Sequence, residues 1–280
     1  MDRRLHPFRP GLAAEYLRGR VDAARYAPGV ERTVVRGAAA LRRAPNPGAP
    51  LESELLCGEA VIVYDQLDGW AWLQNATDGY VGYAASDALG LRTAPATHRI
   101  AALRSYVYGE PDLKAPPQDL LSLCATVRVT ERRGAFSGLT GGGWVHSGHL
   151  SPVDEFAQDP VSVAWQFLGT PYLWGGRTSI GLDCSALIQL ALASCGQAVA
   201  RDTDLQAAQI GNPVAFDGGE AALRRGDLVY WPGHAGLWID QDRFLHANAT
   251  DMMVAVAPLA TVAAQIQAAQ GGAIAVIRRP

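Results

Sequence analysis

Three side chains able to carry out acyl transfer follow one another along the chain: Cys184, His234 and His246. A thiol becomes a strong nucleophile once ionised, an imidazole within reach can take its proton, and that imidazole needs a second polar group to orient it. Cys184 lies in GLDCSALIQLALASCG, residues 181–196. The run from Ser185 to Cys195 is rich in Ala, Leu, Ile and Gln and predicts a helix, with Asp183 as its N-cap and Gly196 as the residue that ends it. Cys184 then falls in the first turn, where unpaired N–H groups and the macrodipole favour a thiolate. The expectation is a lowered thiol pKa and preferential alkylation below about pH 7.

The histidines have settings of their own. GDLVYWPGHAGLWID puts His234 at the start of a strand after a Pro-Gly turn, and RFLHANA puts His246 within the next strand. A short turn from Asp240 to Arg243 would join the two as a hairpin. Upstream of the cysteine, GTPYLWGGRTSIGLDC has Gly175, Gly176 and Gly181 to let backbone approach a ligand, and Tyr172 and Trp174 to form a wall. Each residue also has a plainer reading. A free cysteine is commonly a small buried hydrophobe, and that reading is assigned to Cys57, Cys124 and Cys195. A lone histidine is more often structural or exposed. The combination of Cys184, His234 and His246 outweighs the plainer reading. His146 and His149, in WVHSGHL, lack nearby acidic or cysteine partners and are read as surface residues, so no metal and no cofactor is expected.

The elements that must position these residues change texture along the chain. Residues 1–29 read as an N-terminal helical segment, because Leu12–Tyr26 has apolar residues at roughly helical spacing before Pro28 and Gly29. Residues 30–95 are short β-like runs, TVVRGAAALRR, AVIVYDQL, WAWLQNA and GYVGYAA, separated by glycine turns, and predict a small barrel. A divergent copy of that order recurs over 96–152 and predicts a second barrel. Residues 153–280 turn helical and then run through successive strands, predicting an α+β domain with a mainly antiparallel sheet.

Composition excludes several classes. The 280 residues are 49% hydrophobic and 18% charged with a net charge of −3, which offers no footprint for nucleic acid or an anionic membrane. Pro7, Pro10, Gly11 and Glu15 interrupt the region where a signal peptide needs an apolar run, and no membrane span is seen. Four scattered cysteines make no disulfide framework, so a cytoplasmic setting is expected.

The motifs GTPYLWGG, GLDCSALIQ, RDTDLQ, GDLVYW, HAGLWID and LHANA, in this order over most of Val161–Val256, closely resemble the NlpC-type, papain-like cysteine peptidases of bacterial cell-wall peptides. LLCGEAVIVYD and DGYVGY resemble bacterial SH3-like modules. The resemblance implies a papain-like catalytic domain, N-terminal helices packed on the sheet, preceded by two SH3-like β-barrels. It implies Cys184 as nucleophile, His234 as general base and later acid, His246 as the orienting residue, and Tyr172 at the oxyanion beside the N–H of Cys184.

The resemblance also implies a substrate. Enzymes that join such barrels to this catalytic domain cleave after γ-D-glutamate in murein peptides that begin with free L-alanine, such as L-Ala-γ-D-Glu-meso-diaminopimelate. Asp202 matches the family's amine-binding aspartate, Ser185 and Asp183 are expected to join it, and Tyr80 or Tyr83 to close the pocket. Three positions depart from the family pattern: Ala186 replaces a glycine, Arg225 a proline and Ala235 a larger apolar residue. None removes a catalytic group. A different class of function, a wall-binding adaptor using barrel aromatics such as Trp70, Trp72, Tyr80 and Tyr83, stays open at this point.

Overall fold

A computed structural model describes residues 1–91, 94–216 and 222–280. Residues 92–93, in the tail of the expected first barrel, and 217–221 lie outside the described residues. The chain divides into two compact units, Met1–Glu155 and Phe156–Pro280.

The first unit is almost wholly β. It opens with β1 (Phe8–Arg9), β2 (Leu12–Ala14) and β3 (Arg25–Ala27), a three-stranded sheet. The helix expected over Leu12–Tyr26 is absent, apart from one 3-10 turn at Glu15–Leu17. Gly11 and Gly19 adopt φ of +80° and +77°, which breaks a helical path. The apolar residues meant for a helix stripe instead pack from an extended chain: Leu12, Ala13, Ala14 and Leu17 bury themselves against Tyr64 and Trp72.

A seven-stranded sheet follows, built from β4 (Val30–Val34), β5 (Ala38–Arg42), β6 (Leu51–Leu56), β7 (Ala60–Leu67), β8 (Trp70–Asn75), β9 (Val81–Ala85) and β10 (Leu89–Leu91), in spatial order β10-β4-β7-β8-β9-β5-β6. Alternation decides its faces. Val61, Val63, Ala71, Leu73 and Ala84 point into one core with Leu41, Leu55 and Tyr80, while Ile62, Tyr64, Trp72 and Tyr83 point outward to meet the N-terminal segment.

The remaining strands of this unit are β11 (His98–Ile100), β12 (Arg104–Tyr108), β13 (Pro117–Ser122), β14 (Thr126–Val127), β15 (Val129–Arg133), β16 (Phe136–Leu139), β17 (Trp144–His146) and β18 (Leu150–Pro152). They make one sheet of order β14-β11-β18 and another of order β13-β12-β17-β16-β15. The two β-segments meet backbone to backbone. Gly37 N–H donates to Asp119 at 2.8 Å and Thr126 N–H to the Cys57 carbonyl at 2.9 Å. A Cβ at Gly37 would strike the Leu120 carbonyl, and one at Gly58 the Thr126 carbonyl.

The second unit combines helices with a six-stranded antiparallel sheet and a small two-stranded one. Its elements are α1 (Pro160–Trp165), β19 (Arg177–Thr178), β20 (Gly181–Leu182), α2 (Cys184–Ser194), α3 (Thr203–Gln209), β21 (Asn212–Val214), β22 (Leu228–Trp231), β23 (His234–Asp240), β24 (Arg243–Asn248), β25 (Met253–Pro258), α4 (Leu259–Gln270) and β26 (Val276–Arg279). The sheet order is β21-β26-β22-β23-β24-β25 with every pair antiparallel. Helix α2 is apolar nearly all round and is buried nearly all round, packed on α1, β23 and β24. The expected caps are in place: Asp183 accepts from Ala186 N–H at 2.9 Å, and Gly196 has φ +85°. Helix α4, which the sequence reading did not assign, covers Trp231 and Phe244 with Leu259, Val262 and Ile266.

Candidate active site

The N-terminus of α2 and the start of β23 come together at Cys184. Pro232 and Gly233 form the turn before β23, with Gly233 at φ +77°. That turn pairs Trp231 with His234 and makes the histidine the first residue of the strand. The backbone N–H groups of Ala235 and Ser185 point at the Cys184 sulfur. His234 Nε2 lies 2.9 Å from His246 Nδ1, leaving Nδ1 as the nitrogen of His234 not engaged with His246. Gly236, two residues after His234 on the same face, leaves room for this pair: a Cβ there would meet Leu245 O at 2.6 Å and His246 Cβ at 2.8 Å. The row goes on to Asn248, whose Nδ2 is 3.3 Å from His246 Nε2, and to Asp251, which accepts from that Nδ2 at 3.1 Å.

Protonation differs from the expectation. Burial, followed by the Asp183 carboxylate, pushes the Cys184 thiol up to about 12. Burial, followed by His246, takes His234 down to about 3, and burial takes His246 down to about 4. The helix terminus and two N–H groups do favour a thiolate, but a cysteine 6% exposed beside a carboxylate loses more in hydration than they return. These directions favour an un-ionised thiol and uncharged rings in the resting site, opposite to the lowered thiol pKa expected from the helix terminus alone.

Asp183 and Ser185 are held by hydrogen bonds within the protein. Asp183 is 7% exposed, and its two oxygens accept from Gly175 N–H, Ser185 Oγ, Ala186 N–H and both Arg201 Nη atoms, all within 3.0 Å. Ser185 Oγ accepts in turn from Arg201 at 2.8 Å. These residues build the turn beneath the cysteine. Arg201, 1% exposed, has no local sequence signal, because its partners Asp183 and Ser185 are distant along the chain. Gln206 was missed as well: it is wholly buried and donates to Ser185 O at 3.0 Å and Ala200 O at 2.8 Å, tying α3 to the start of α2.

The other expected residues fall at different distances from the chemistry. Tyr172 bridges to Leu182, donates its N–H to Met252 O at 2.9 Å, and has its hydroxyl pKa raised first by burial and then by Cys184. Trp174 is 68% exposed. Asp202 stands at the N-cap position of α3, half-buried. Tyr80 is 3% exposed in the core of the first β-segment, so its ring offers no surface. The Tyr83 ring lies 5.6 Å under the Arg9 guanidinium, and its hydroxyl accepts from Arg9 at 2.6 Å. Among the described residues no group of three or more His, Cys, Asp or Glu side chains is arranged for a metal. Among the described residues Cys57, Cys124 and Cys195 form no disulfide, and each is half-buried rather than fully buried.

Residues 169–270 match the NlpC/P60 family. The chain carries an NlpC/P60 domain. Residues 41–89 match the bacterial dipeptidyl-peptidase Sh3 domain, so an SH3 domain precedes it. Over 108 residues, 38% of this chain, the sequence is 30% identical to Dipeptidyl-peptidase 6 of Lysinibacillus sphaericus. Over 111 residues, 37% of this chain, it is 30% identical to a gamma-D-glutamyl-L-lysine dipeptidyl-peptidase of Bacillus subtilis. These matches span 38% and 36% of the relatives' own lengths. The crystal structure of an NlpC/P60 family protein from Bacillus cereus covers 89% of this chain and 99% of its own at 19% identity, with a TM-score of 0.75. The NlpC/P60 domain thus has the papain-like fold, and its family is one of peptidases.

Proposed function

We propose that the protein is a cysteine peptidase that hydrolyses the bond between γ-D-glutamate and a diamino acid in murein peptides with a free N-terminal L-alanine. The His234–His246 contact of 2.9 Å beside a cysteine at a helix N-terminus carries this reading. In the first half-reaction Cys184 Sγ attacks the γ-carbonyl carbon while its proton passes to His234 Nδ1. The oxyanion is met by the Cys184 N–H and the Tyr172 hydroxyl. Collapse breaks the C–N bond, and the His234 proton leaves with the amine of the diamino acid. Water then attacks the thioester, giving its proton to His234, and the thiol is restored. His246 holds the His234 ring throughout.

Asp202 is the carboxylate assigned to the substrate ammonium, since Asp183 and Ser185 are engaged with Arg201. An ammonium buried without a partner is costly, so a capped peptide should be refused. Two SH3-like barrels in the first unit and a cytoplasmic role in recycling wall peptides complete the proposal. A free-amine requirement suits fragments already trimmed rather than intact wall. Among the described residues no helix is long and apolar enough to cross a membrane.

Incubation with L-Ala-γ-D-Glu-meso-diaminopimelate and with its N-acetylated form tests the reading. Cleavage of the free peptide alone is expected, and turnover of neither would overturn it. Equal turnover of both would remove the amine pocket. Cell fractionation tests the location.

A wall-binding reading draws support from one observation. Tyr106, Tyr108, Phe136 and His146 form a row of rings with successive centroids 6.3, 5.9 and 6.0 Å apart, and Tyr106 is half exposed. Sedimentation with insoluble wall, without peptide turnover, would favour that reading.

A further inference from the structure

The hydrogen bonds around Asn248 decide where the histidine protons sit. The Asp251 backbone N–H lies 2.7 Å from Asn248 Oδ1, and an N–H can only donate. The Asp251 carboxylate lies 3.1 Å from Asn248 Nδ2 and can only accept. Both contacts orient the amide the same way, so its oxygen and nitrogen are assigned from their partners. The Nδ2 so oriented also faces His246 Nε2 at 3.3 Å. A donor there requires the lone pair of Nε2, which leaves the single proton of a neutral His246 on Nδ1. That Nδ1–H donates to His234 Nε2 at 2.9 Å. A neutral His234 that accepts at Nε2 keeps its own proton on Nδ1, the nitrogen left for Cys184.

We propose that Asn248, clamped by Asp251, is a positioning residue that sets the tautomer of His246 and thereby holds the Cys184–His234 pair in a resting form that cannot take the thiol proton. Release has a defined proton balance. His246 moves its proton from Nδ1 to Nε2, His234 moves its own from Nδ1 to Nε2, and each ring still holds one. The Nε2–H of His246 then needs an acceptor, so Asn248 must turn its amide and give up both bonds to Asp251. The clamp lies on the turn between β24 and β25 that also carries Met252, whose carbonyl accepts from Tyr172 N–H at 2.9 Å. The residue assigned to the oxyanion is thus anchored through its backbone to the same short loop that carries the clamp. Asn248 itself is 5% exposed.

The kinetic consequence rests on the peptidase reading, but the tautomer does not, and the test uses readouts that need no substrate. The full chain labelled with 15N-histidine gives long-range proton–nitrogen spectra that distinguish the two neutral tautomers. The expected result is a wild-type His246 protonated on Nδ1. In the exchange variant Asn248→Asp with Asp251→Asn the net charge is kept, the introduced carboxylate can only accept, and the proton should move to Nε2. Alkylation of Cys184 by iodoacetamide near neutral pH should then be about fivefold or more faster than in the wild type. Asn248→Ala, which removes the donor without adding an acceptor, should show a mixture of the two tautomers. A wild-type His246 protonated on Nε2, or the same tautomer in wild type and exchange variant, overturns the proposal. So does an unchanged alkylation rate once the proton has moved. Matching circular dichroism melts establish that the variants are folded. Absence of peptide cleavage by any form would sink the peptidase reading while leaving the spectra to decide this one.

Discussion

Arg201 grips Asp183 through both arms of its guanidinium, Nη1 to Oδ1 at 2.9 Å and Nη2 to Oδ2 at 2.8 Å, with its side chain 1% exposed. A third contact, Nη2 to the Gly176 carbonyl at 3.2 Å, draws in the glycine-rich approach. The cysteine loop, the helix cap and the start of α3 are thereby joined by one fork. Replacing Arg201 with Met leaves a buried carboxylate without its counter-charge, and the expected loss is about 3–5 kcal/mol. Arg201→Lys keeps the charge but loses the fork and should fall between Met and the wild type. Urea midpoints would check the order, and equal midpoints for Lys and wild type would count against the bidentate geometry.

The proposed chemistry orders the site variants. Cys184→Ala should remove peptide cleavage altogether. His234→Ala should reduce kcat by roughly 10²–10⁴-fold, the usual range for loss of a general base. His246→Asn, which keeps a polar group beside His234 Nε2, should retain more activity than His234→Ala. Steady-state kinetics on the free tripeptide decides; a His246→Asn enzyme as impaired as His234→Ala would give the second ring a larger role than orientation.

Gly236→Ala is expected to damage function out of proportion to its size. The new methyl would press on Leu245 O and His246 Cβ, and either β24 must retreat or the His234–His246 contact must lengthen. Overpacking of this kind costs about 1–3 kcal/mol. kcat should fall at least tenfold or so, because acid–base catalysis depends on that contact. Thermal melts and kinetics together would show both effects, and an unaltered kcat would show that the strands yield without moving the rings.

Acid and alkali should each weaken the second unit, for opposite reasons. The unfolded imidazoles take up protons near 6.5, while folded His234 and His246 resist until about 3 and about 4. Below pH 6.5 the unfolded state binds more protons, so stability falls as the pH drops through that window. On the alkaline side the unfolded Cys184 ionises from 9.0 while the folded thiol holds to about 12, so stability falls as pH rises between those values. Melting temperatures across pH should show both limbs. A His234→Gln, His246→Gln double variant should flatten the acid limb and Cys184→Ala the alkaline one.

The site was more legible in the sequence than its energetics. Local signals located α2, its Asp183 cap and Gly196 stop, and the β23–β24 hairpin, because caps and turns are written in adjacent residues. The state of the thiol was not legible, since it depends on burial and on Asp183, and burial is a property of the packed unit. Arg201 was hidden for a related reason: its partners Asp183 and Ser185 lie 18 and 16 residues away. The N-terminal segment misled because its apolar spacing suits a helix, while the glycines at 11 and 19 and the outward rings of Tyr64 and Trp72 favour an extended chain. Helix α4 had a usable signal in LATVAAQIQAAQ ending at Gly271 in the left-handed region, but it sat among strand-like runs.

The seam at Gly37 and Gly58 bears on how this chain can be cut and recombined. Because main chain meets main chain there, a β-segment grafted from another protein would need glycines at those two positions and an acceptor in place of Asp119. Trimming the chain to one segment would strip a partner from the Gly37 amide and from the Cys57 carbonyl. The β half is thus a single block, to be moved or deleted whole, rather than two interchangeable cassettes.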